Sequence, residues 1–182
     1  MMGDEPGGRF FDTNVIVYTQ DAAARLNRAR ALVVMEAAMK ADCFVISTQV
    51  MQEFYNVVLR KRWMAPAHAA QMLGRLAEHT VVPATADSVL RGVALQQRHR
   101  LSLWDALIVQ AALDGRCAVL YSEDLQEGRR FEPLGSVGPA LMVVNPFNSR
   151  SDASDAPDAA AHEPKATYRV AAGKRRLGRA SK

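Results

Sequence analysis

The sequence predicts an α/β protein in which helices cover both faces of a mostly parallel central sheet of about five short strands. Short apolar runs alternate with longer segments whose apolar residues recur every three or four positions, which is the spacing of an amphipathic helix. Strands that are separated by helices need crossover connections, and these make neighbouring strands parallel and cover the sheet on both sides. The predicted strands are residues 9–12, 44–47, 80–83, 118–121 and 141–144.

Six helices are predicted between and around these strands, over residues 13–20, 27–40, 48–61, 66–78, 87–99 and 102–113. Thr48 has the side chain of an N-cap, and Pro66 fits the first turn of a helix. Asp114-Gly115 is typical of the end of a helix, so it closes the last one.

The length of 182 residues, with 49% apolar and 23% charged residues, indicates one globular domain and a tail. We predict a disordered leader over residues 1–8, a folded domain over 9–147 and a disordered C-terminal tail over 148–182. The tail contains almost no aromatic or β-branched side chains and cannot bury enough surface to fold alone.

The net charge of +4 lies entirely in the tail, because residues 1–148 carry fifteen basic and fifteen acidic side chains. A globally basic nucleic-acid-binding protein is therefore excluded. Residues 164–182 carry a charge of +7. This basic end either adds RNA affinity that ignores sequence or is an inert extension.

Two cysteines, Cys43 and Cys117, lie in apolar surroundings without a nearby Cys or His, so we predict two buried reduced thiols. The acidic, glycine-rich start is unlike a signal peptide, and no apolar run approaches the ~18 residues of a membrane span. These observations predict a cytoplasmic protein that does not enter a membrane.

Four acidic residues lie where the predicted strands end or where the following helices begin, at the edge of a parallel sheet that collects functional groups. They are Asp12, Glu53, Asp105 and Asp124. Asp124 could instead simply terminate its strand, with neighbouring Glu123 taking its role.

The other three acids also have purely structural explanations. Asp12 could form an Asx-turn or cap the next helix. Glu53 could be a solvated acid that the helix dipole favours. Asp105 fits a capping box with Ser102, although it lies in an almost wholly apolar stretch where a buried charge needs a partner or a metal ion.

As a set, the four acids indicate a catalytic site rather than four separate structural roles. Carboxylates that converge on one point repel each other unless a cation compensates, and an all-oxygen site suits Mg²⁺ or Mn²⁺ rather than zinc. None of the four histidines lies beside a Cys or Ser as in a nucleophile–base pair, and no glycine-rich phosphate loop is present. The pattern indicates metal-assisted attack on a phosphodiester.

The ordered set of motifs resembles the PIN-domain ribonucleases, in particular the VapC-type toxins of bacterial toxin–antitoxin pairs. The resemblance covers residues 9–147. The segments that carry it are Phe11-Asp-Thr-Asn-Val-Ile-Val-Tyr18, Glu53, Ser102-Leu-Trp-Asp-Ala-Leu-Ile108, Leu120-Tyr-Ser-Glu-Asp-Leu125 and Val144-Asn-Pro-Phe147. The tail beyond Phe147 departs from the family, whose chains commonly stop there.

The resemblance implies that Asp12, Glu53, Asp105 and Asp124 hold one or two Mg²⁺ or Mn²⁺ ions. It implies hydrolysis of RNA by a metal-activated water, which leaves a 3′-hydroxyl and a 5′-phosphate. It also implies a cognate antitoxin protein and a homodimer. The residues that match supporting hydrogen-bonding positions in the family are Thr13, Asn14 and Ser122.

Basic residues near two predicted helix ends are candidates for RNA contact. They are Arg60, Lys61, Arg62, Arg98 and Arg100. Each could instead complement the C-terminal end of a helix dipole.

Three other functions fit parts of the pattern. A haloacid-dehalogenase-type phosphatase also has an Asp at a strand end, but it needs a second Asp where this chain has Asn14. A non-catalytic RNA-binding protein with a PIN-like fold would not need the four acids. An RNA-processing nuclease without a toxin role would keep them.

Overall fold

The computed structural model describes residues 7–133 and 138–148. The strands are β1 Gly8–Phe11, β2 Phe44–Ser47, β3 Thr80–Val82, β4 Cys117–Tyr121, β5 Arg130–Phe131 and β6 Leu141–Val144. The helices are α1 Thr13–Tyr18, α2 Arg25–Lys40, α3 Thr48–Arg60, α4 Pro66–Leu76, α5 Ala86–His99 and α6 Leu103–Asp114. The predicted tail except Asn148, and the predicted leader except Gly7 and Gly8, lie outside the described residues.

Six strands form one sheet in the order β3-β2-β1-β4-β6-β5 within the described ranges. All neighbours are parallel except β5 and β6. The predicted fold class is confirmed, and β5 is the strand that the sequence did not reveal. It has only two residues and no alternation of its own, and it exists because it pairs with β6.

The order of the strands reverses direction beside β1, since the chain moves outward from β1 to β3 and then returns to place β4 on the other side of β1. Right-handed crossovers in both directions put the intervening helices on opposite faces of the sheet. Consistently, α1 contacts α2 and α3, α3 contacts α4, and α5 packs on α6.

The central strand shows that both faces are covered. Phe10 and Phe11 are neighbours on β1, so their side chains point to opposite faces, and neither is exposed to solvent. Phe11 stacks between Phe44 of β2 and Tyr121 of β4, with ring centroids 4.7 and 5.0 Å apart. This row of aromatic rings crosses the three strands that carry the candidate site.

Helix α6 is apolar around most of its circumference, as expected for a helix enclosed on several sides. It contacts β2, β3 and β4 as well as α5. Arg91 of α5 ties the two helices together at their far end, since its guanidinium donates to both carboxylate oxygens of Asp114. Because β4 follows α6 at once, α6 runs back across the sheet and begins at the carboxyl edge of the strands.

Two local predictions need correction. β1 begins at Gly8 and ends at Phe11, so Gly8 belongs to the strand rather than to the leader, and Asp12 follows the strand as the N-cap of α1. The N-cap of α3 is Ser47 and not Thr48, since the Ser47 hydroxyl accepts from the Val50 N–H at 3.3 Å. A Ser-Thr pair offers two capping hydroxyls, and the backbone stays extended through Ser47 because β2 pairs that far.

Both cysteines are free and buried, as predicted. Burial raises the pKa of the Cys117 thiol to about 12. Within the described ranges, no helix is long and apolar enough to cross a membrane.

Candidate active site

The acids that follow β1 and β4 meet at the point where the strand order reverses. β1 and β4 are neighbours, and the Asp12 N–H donates to the carbonyl of Tyr121, which extends their pairing by one residue. In open α/β sheets, this crevice at the carboxyl ends of the strands is where ligands bind. The fold thus brings Asp12 next to Ser122 and Asp124.

Asp12 is held by both of its carboxylate oxygens. Oδ1 accepts from the Thr13 N–H at 2.6 Å, which makes Asp12 the N-cap of α1, and Oδ2 accepts from the Ser122 hydroxyl at 2.7 Å. The side chain is nearly buried, with a residue exposure of 9%. The structural explanation for Asp12 is therefore correct, and the same residue places a buried carboxyl group at the carboxyl edge of the sheet.

Burial raises the pKa of Asp12 from 3.8 to about 7. Hydrogen bonds from Ser122 and Thr13 oppose this shift, while the nearby charges of Asp124 and Glu53 add to it. A carboxyl group with this pKa exchanges its proton near neutral pH, and a cation beside it would favour the charged form.

The two residues after Asp12 join it to the other acids. Thr13 donates its hydroxyl to Glu53 Oε2 at 2.7 Å. Asn14 Nδ2 lies between two carboxylates, 3.3 Å from Asp12 Oδ2 and 3.1 Å from Asp124 Oδ2. Asp12, Glu53 and Asp124 are therefore gathered by neutral donors, and all three predicted supporting side chains take part.

Asn14 also carries an acceptor without a partner. Its side-chain oxygen Oδ1 is buried, and no described residue donates a hydrogen bond to it. A buried amide oxygen without a donor is uncommon because it loses its hydration without compensation. In the middle of a carboxylate cluster, such an oxygen is a further ligand that suits a hard cation.

Asp105 lies at the same edge but outside this network. Ser102 is the N-cap of α6, since its hydroxyl accepts from the Asp105 N–H at 3.1 Å. Within the described ranges, no hydrogen bond links the Asp105 carboxylate to the Ser102 N–H, so the capping box is only half formed. The half-buried carboxylate of Asp105 makes no polar side-chain contact with the other acids.

The expectation that all four carboxylates converge on one point is not met, although hydrogen bonds through Thr13 and Asn14 link Asp12 to Glu53 and Asp124. In the part of the chain that the structure describes, no three Asp, Glu, His or Cys side chains lie close enough to form a metal-binding group. Like charges repel, and each of the three joined acids is instead satisfied by a neutral donor.

Gln49 connects α6, the helix of Asp105, to Glu53. It was not among the site residues predicted from the sequence. Its Nε2 donates to Glu53 Oε1 at 3.0 Å and lies 3.5 Å from the carbonyl oxygen of Trp104. Gln49 lies four residues before Glu53 on α3, and this spacing on one helix face was the signal that could have identified it.

Glu123 does not replace Asp124. Its carboxylate accepts from the Tyr18 hydroxyl, at 3.0 Å to Oε1 and 3.2 Å to Oε2, whereas Asp124 meets Asn14. Burial raises the pKa of Glu123, and the hydrogen bond from Tyr18 partly opposes this shift.

The residue types at this edge fit a hard divalent cation. Carboxylate oxygens and the free Asn14 oxygen are the ligands that Mg²⁺ and Mn²⁺ prefer. Mg²⁺ commonly takes only one or two carboxylates and keeps several waters, so it does not need a dense cage of protein ligands. Burial is the main reason why the pKa of Asp12 is raised, and the nearby charges of Asp124 and Glu53 add to it.

The five cations predicted to touch RNA are all exposed. Arg60 is the last residue of α3 and Lys61 its C-cap, while Arg98 lies in the last turn of α5 and Arg100 is its C-cap. These positions also suit the negative end of a helix dipole.

A comparison with family profiles identifies the family to which this doubly wound sheet, with acids at its reversal point, belongs. The PIN domain profile matches residues 9–129, about two thirds of the chain. The chain belongs to the PIN-domain family, so the resemblance seen in the motifs is confirmed and the dehalogenase alternative is not supported.

Solved structures show the same fold. A toxin–antitoxin complex from Klebsiella pneumoniae matches with a TM-score of 0.50 and 23% identity, over 63% of this chain and 85% of that chain. VapC20 of Mycobacterium tuberculosis, described as a toxin that cleaves the sarcin-ricin loop, matches with a TM-score of 0.51 and 20% identity. That match covers 62% of this chain and 87% of VapC20. No curated protein sequence matches this chain.

Proposed function

We propose that this chain is a metal-dependent endoribonuclease and the toxin of a toxin–antitoxin pair. One observation carries the proposal: the buried carboxyl group of Asp12, with a pKa of about 7, is joined through Thr13 and Asn14 to Glu53 and Asp124. Membership of the PIN-domain family supports ribonuclease chemistry at this crevice.

The four acids would hold one or two Mg²⁺ or Mn²⁺ ions, the metals that PIN nucleases generally use. When bound, such an ion lowers the pKa of a water and neutralises charge that develops on a phosphodiester. Asp12 and Asp124 share Asn14 as a donor and are the best-placed direct ligands. Glu53 and Asp105 would complete the site from the two helices that begin at this edge.

The neutral side chains around the acids orient them. Thr13 and Gln49 bind the two oxygens of Glu53 and fix the plane of its carboxylate. The Ser122 hydroxyl donates to Oδ2 of Asp12 and accepts from the Asp124 N–H at 3.2 Å, so it links the two acids. Asp12 must lose its proton to bind a cation. Because its pKa is about 7, the loss of this proton costs little free energy at neutral pH.

The partners are proposed with the activity. The Klebsiella structure contains a toxin and its antitoxin, which supports an antitoxin partner for this chain. RNA as substrate follows from the proposed chemistry, and VapC20's description as a toxin that cleaves the sarcin-ricin loop supports it. A homodimer and a cytoplasmic location remain predictions from the sequence.

The test is cleavage of total RNA by the purified full-length protein with Mg²⁺, with Mn²⁺ and with EDTA. We expect metal-dependent cleavage that Asp12→Asn reduces by at least about a hundredfold, with a similar loss in Asp105→Asn. Exposed Asp42→Asn serves as the matched control. If the wild-type protein, shown to be free of antitoxin, does not cut RNA, the non-catalytic RNA-binding alternative replaces this proposal.

A toxin role has its own test, because an RNA-processing nuclease would share the chemistry. We expect expression of the chain to arrest bacterial growth, and co-expression of the reading frame immediately upstream to restore it. If growth continues although the expressed protein cleaves RNA, the proposed nuclease activity is supported and the proposed toxin role is contradicted.

A further inference from the structure

Tyr18 lies in the last turn of α1 and is 3% exposed, yet its hydroxyl reaches the candidate site. It meets both carboxylate oxygens of Glu123, at 3.0 and 3.2 Å. Hydrogen bonds to a charged acceptor are stronger than those between neutral groups, and contact with both oxygens restricts rotation of the carboxylate. Neither residue belongs to the set of acids proposed to bind the metal ion.

Two adjacent contacts join α1 to the turn after β4. Asn14 and Tyr18 lie four residues apart, on one face of α1, and Glu123 and Asp124 are consecutive in the turn. Asn14 donates to Asp124 and Tyr18 donates to Glu123. Because the two contacts share a helix and a turn, the position of Glu123 also constrains the position of Asp124.

The ring of Tyr18 is held from the other side by the last described segment of the chain. Phe147 meets it edge-on, with ring centroids 4.7 Å apart. The Phe147 carbonyl oxygen in turn accepts from Arg30 Nη1 of α2 at 2.7 Å. The Tyr18 hydroxyl is therefore presented from a rigid support rather than from a mobile side chain.

We propose that Tyr18 is a positioning residue, which sets the place of Asp124 in the metal site by holding Glu123. The inference rests on the proposed function and extends it to a residue that does not touch metal or RNA. Its expected consequence is tighter metal binding, because the turn that carries Asp124 is fixed before the ion arrives.

The test is a double-mutant cycle with Tyr18→Phe, Glu123→Ala and the combined variant. Mn²⁺ affinity of the full-length protein is measured by isothermal titration calorimetry. Tyr18→Phe keeps the ring against Phe147 and removes only the hydroxyl, and we expect its dissociation constant for Mn²⁺ to rise about tenfold. In the Glu123→Ala background, the same substitution should change the affinity less than twofold, because the contact between Tyr18 and the turn after β4 is already gone.

Tyr55→Phe is the matched control. Tyr55 is a half-buried tyrosine of α3 whose hydroxyl has no hydrogen-bond partner among the described residues, so its removal should leave Mn²⁺ affinity unchanged. An unchanged affinity in Tyr18→Phe, or effects of the two substitutions that simply add, would overturn the proposal. If Tyr18→Phe does not fold, Glu123→Ala tests the same contact by removing the acceptor. An unchanged Mn²⁺ affinity in Glu123→Ala would then overturn the proposal.

Failure of this inference can be told apart from failure of the proposed function. If wild-type protein cuts RNA with Mn²⁺ and Tyr18→Phe binds Mn²⁺ equally well, only the role of Tyr18 is wrong. If wild-type protein neither binds Mn²⁺ nor cuts RNA, the proposed function fails and the positioning role fails with it.

Discussion

Asp12 shows how one side chain can have a structural and a chemical role at once. As an N-cap it accepts from the Thr13 N–H, and as a buried acid it faces the charges of Glu53 and Asp124. The charged form of Asp12 is disfavoured by burial, so the fold itself is less stable when this group ionises.

This conflict predicts a pH-dependent stability in the metal-free protein. Asp12 keeps its proton in the folded chain up to about pH 7 but loses it near pH 4 when unfolded. The folded state therefore binds more protons between these values, and the free energy of unfolding falls as the pH rises through this range. Asp12→Asn removes the charge, and its stabilising effect should be about 1–3 kcal/mol larger at pH 8 than at pH 5.

Thermal unfolding in EDTA at pH 5 and pH 8 measures this difference. Asp42→Asn, which removes an exposed acid, should shift the melting temperature equally at the two pH values. A loss of stability in Asp12→Asn of the same size at both pH values would show that its hydrogen bonds, and not its charge, dominate.

The sequence identified these side chains but not their contacts. The position of Asp12 at a strand end and the spacing of Ser102 and Asp105 were visible along the chain, and both N-caps are confirmed. The hydrogen bond between Ser122 and Asp12 joins residues 110 positions apart, and no local pattern encodes it. The separation of Asp105 from the other acids was invisible for the same reason.

At the scale of elements, the packing of α5 against α6 positions the helix that carries Asp105. Gly92 of α5 allows a close approach: a Cβ at this position would lie 2.7 Å from Cδ2 of Leu107. The Leu107 side chain would have to move, and α6 would lose part of its fit against α5.

Gly92→Ala should therefore stabilise the protein by less than the better helix propensity of alanine alone predicts, because the end of the Leu107 side chain must move. Gly74→Ala is the matched control, since Gly74 is also inside a helix but a Cβ there meets nothing within 4 Å. It should stabilise the protein by about 0.5–1 kcal/mol. Urea unfolding of both variants makes the comparison, and equal stabilisation by both would contradict a tight α5–α6 contact.

Five of the six described strands and all six described helices were predicted with small errors at their ends. Their periodicity and caps are local properties, which the sequence displays directly. Strand β5 was missed because two residues form a strand only when a partner, here β6, is in place. The capping role of Ser47 depends in the same way on how far β2 pairs with β3.

At the scale of the whole molecule, residues 1–148 carry no net charge, so the proposed binding of RNA by the folded domain depends on local clusters of cations. Arg98 and Arg100 are exposed where α5 ends, and α6, which carries Asp105, begins three residues after Arg100. Cations so close in the chain to the acidic edge are well placed to meet the phosphates of a bound RNA.

Replacing both Arg98 and Arg100 by Gln should weaken binding of a single-stranded RNA and flatten its salt dependence. Each lost phosphate contact should change the slope of log K against log salt by about 0.7. Binding is measured by fluorescence anisotropy at several salt concentrations, in the Asp12→Asn background so that the RNA stays intact. Arg116→Gln is the control, since Arg116 is exposed where β4 begins, at the opposite edge of the sheet. If the slope is the same in the double variant and in this control, Arg98 and Arg100 do not contact RNA and only complement the negative end of the α5 dipole.

The central claim is that the acids at the carboxyl edge of β1 and β4 bind the metal ion of a nuclease. Anomalous diffraction from crystals grown with Mn²⁺ tests it most directly, because the signal locates the ion without reference to activity. We predict a peak within coordination distance of Asp12 and Asp124, which Asp12→Asn abolishes. The absence of a peak beside Asp12 at saturating Mn²⁺, with its hydrogen bonds to Thr13, Asn14 and Ser122 unchanged, would contradict the account.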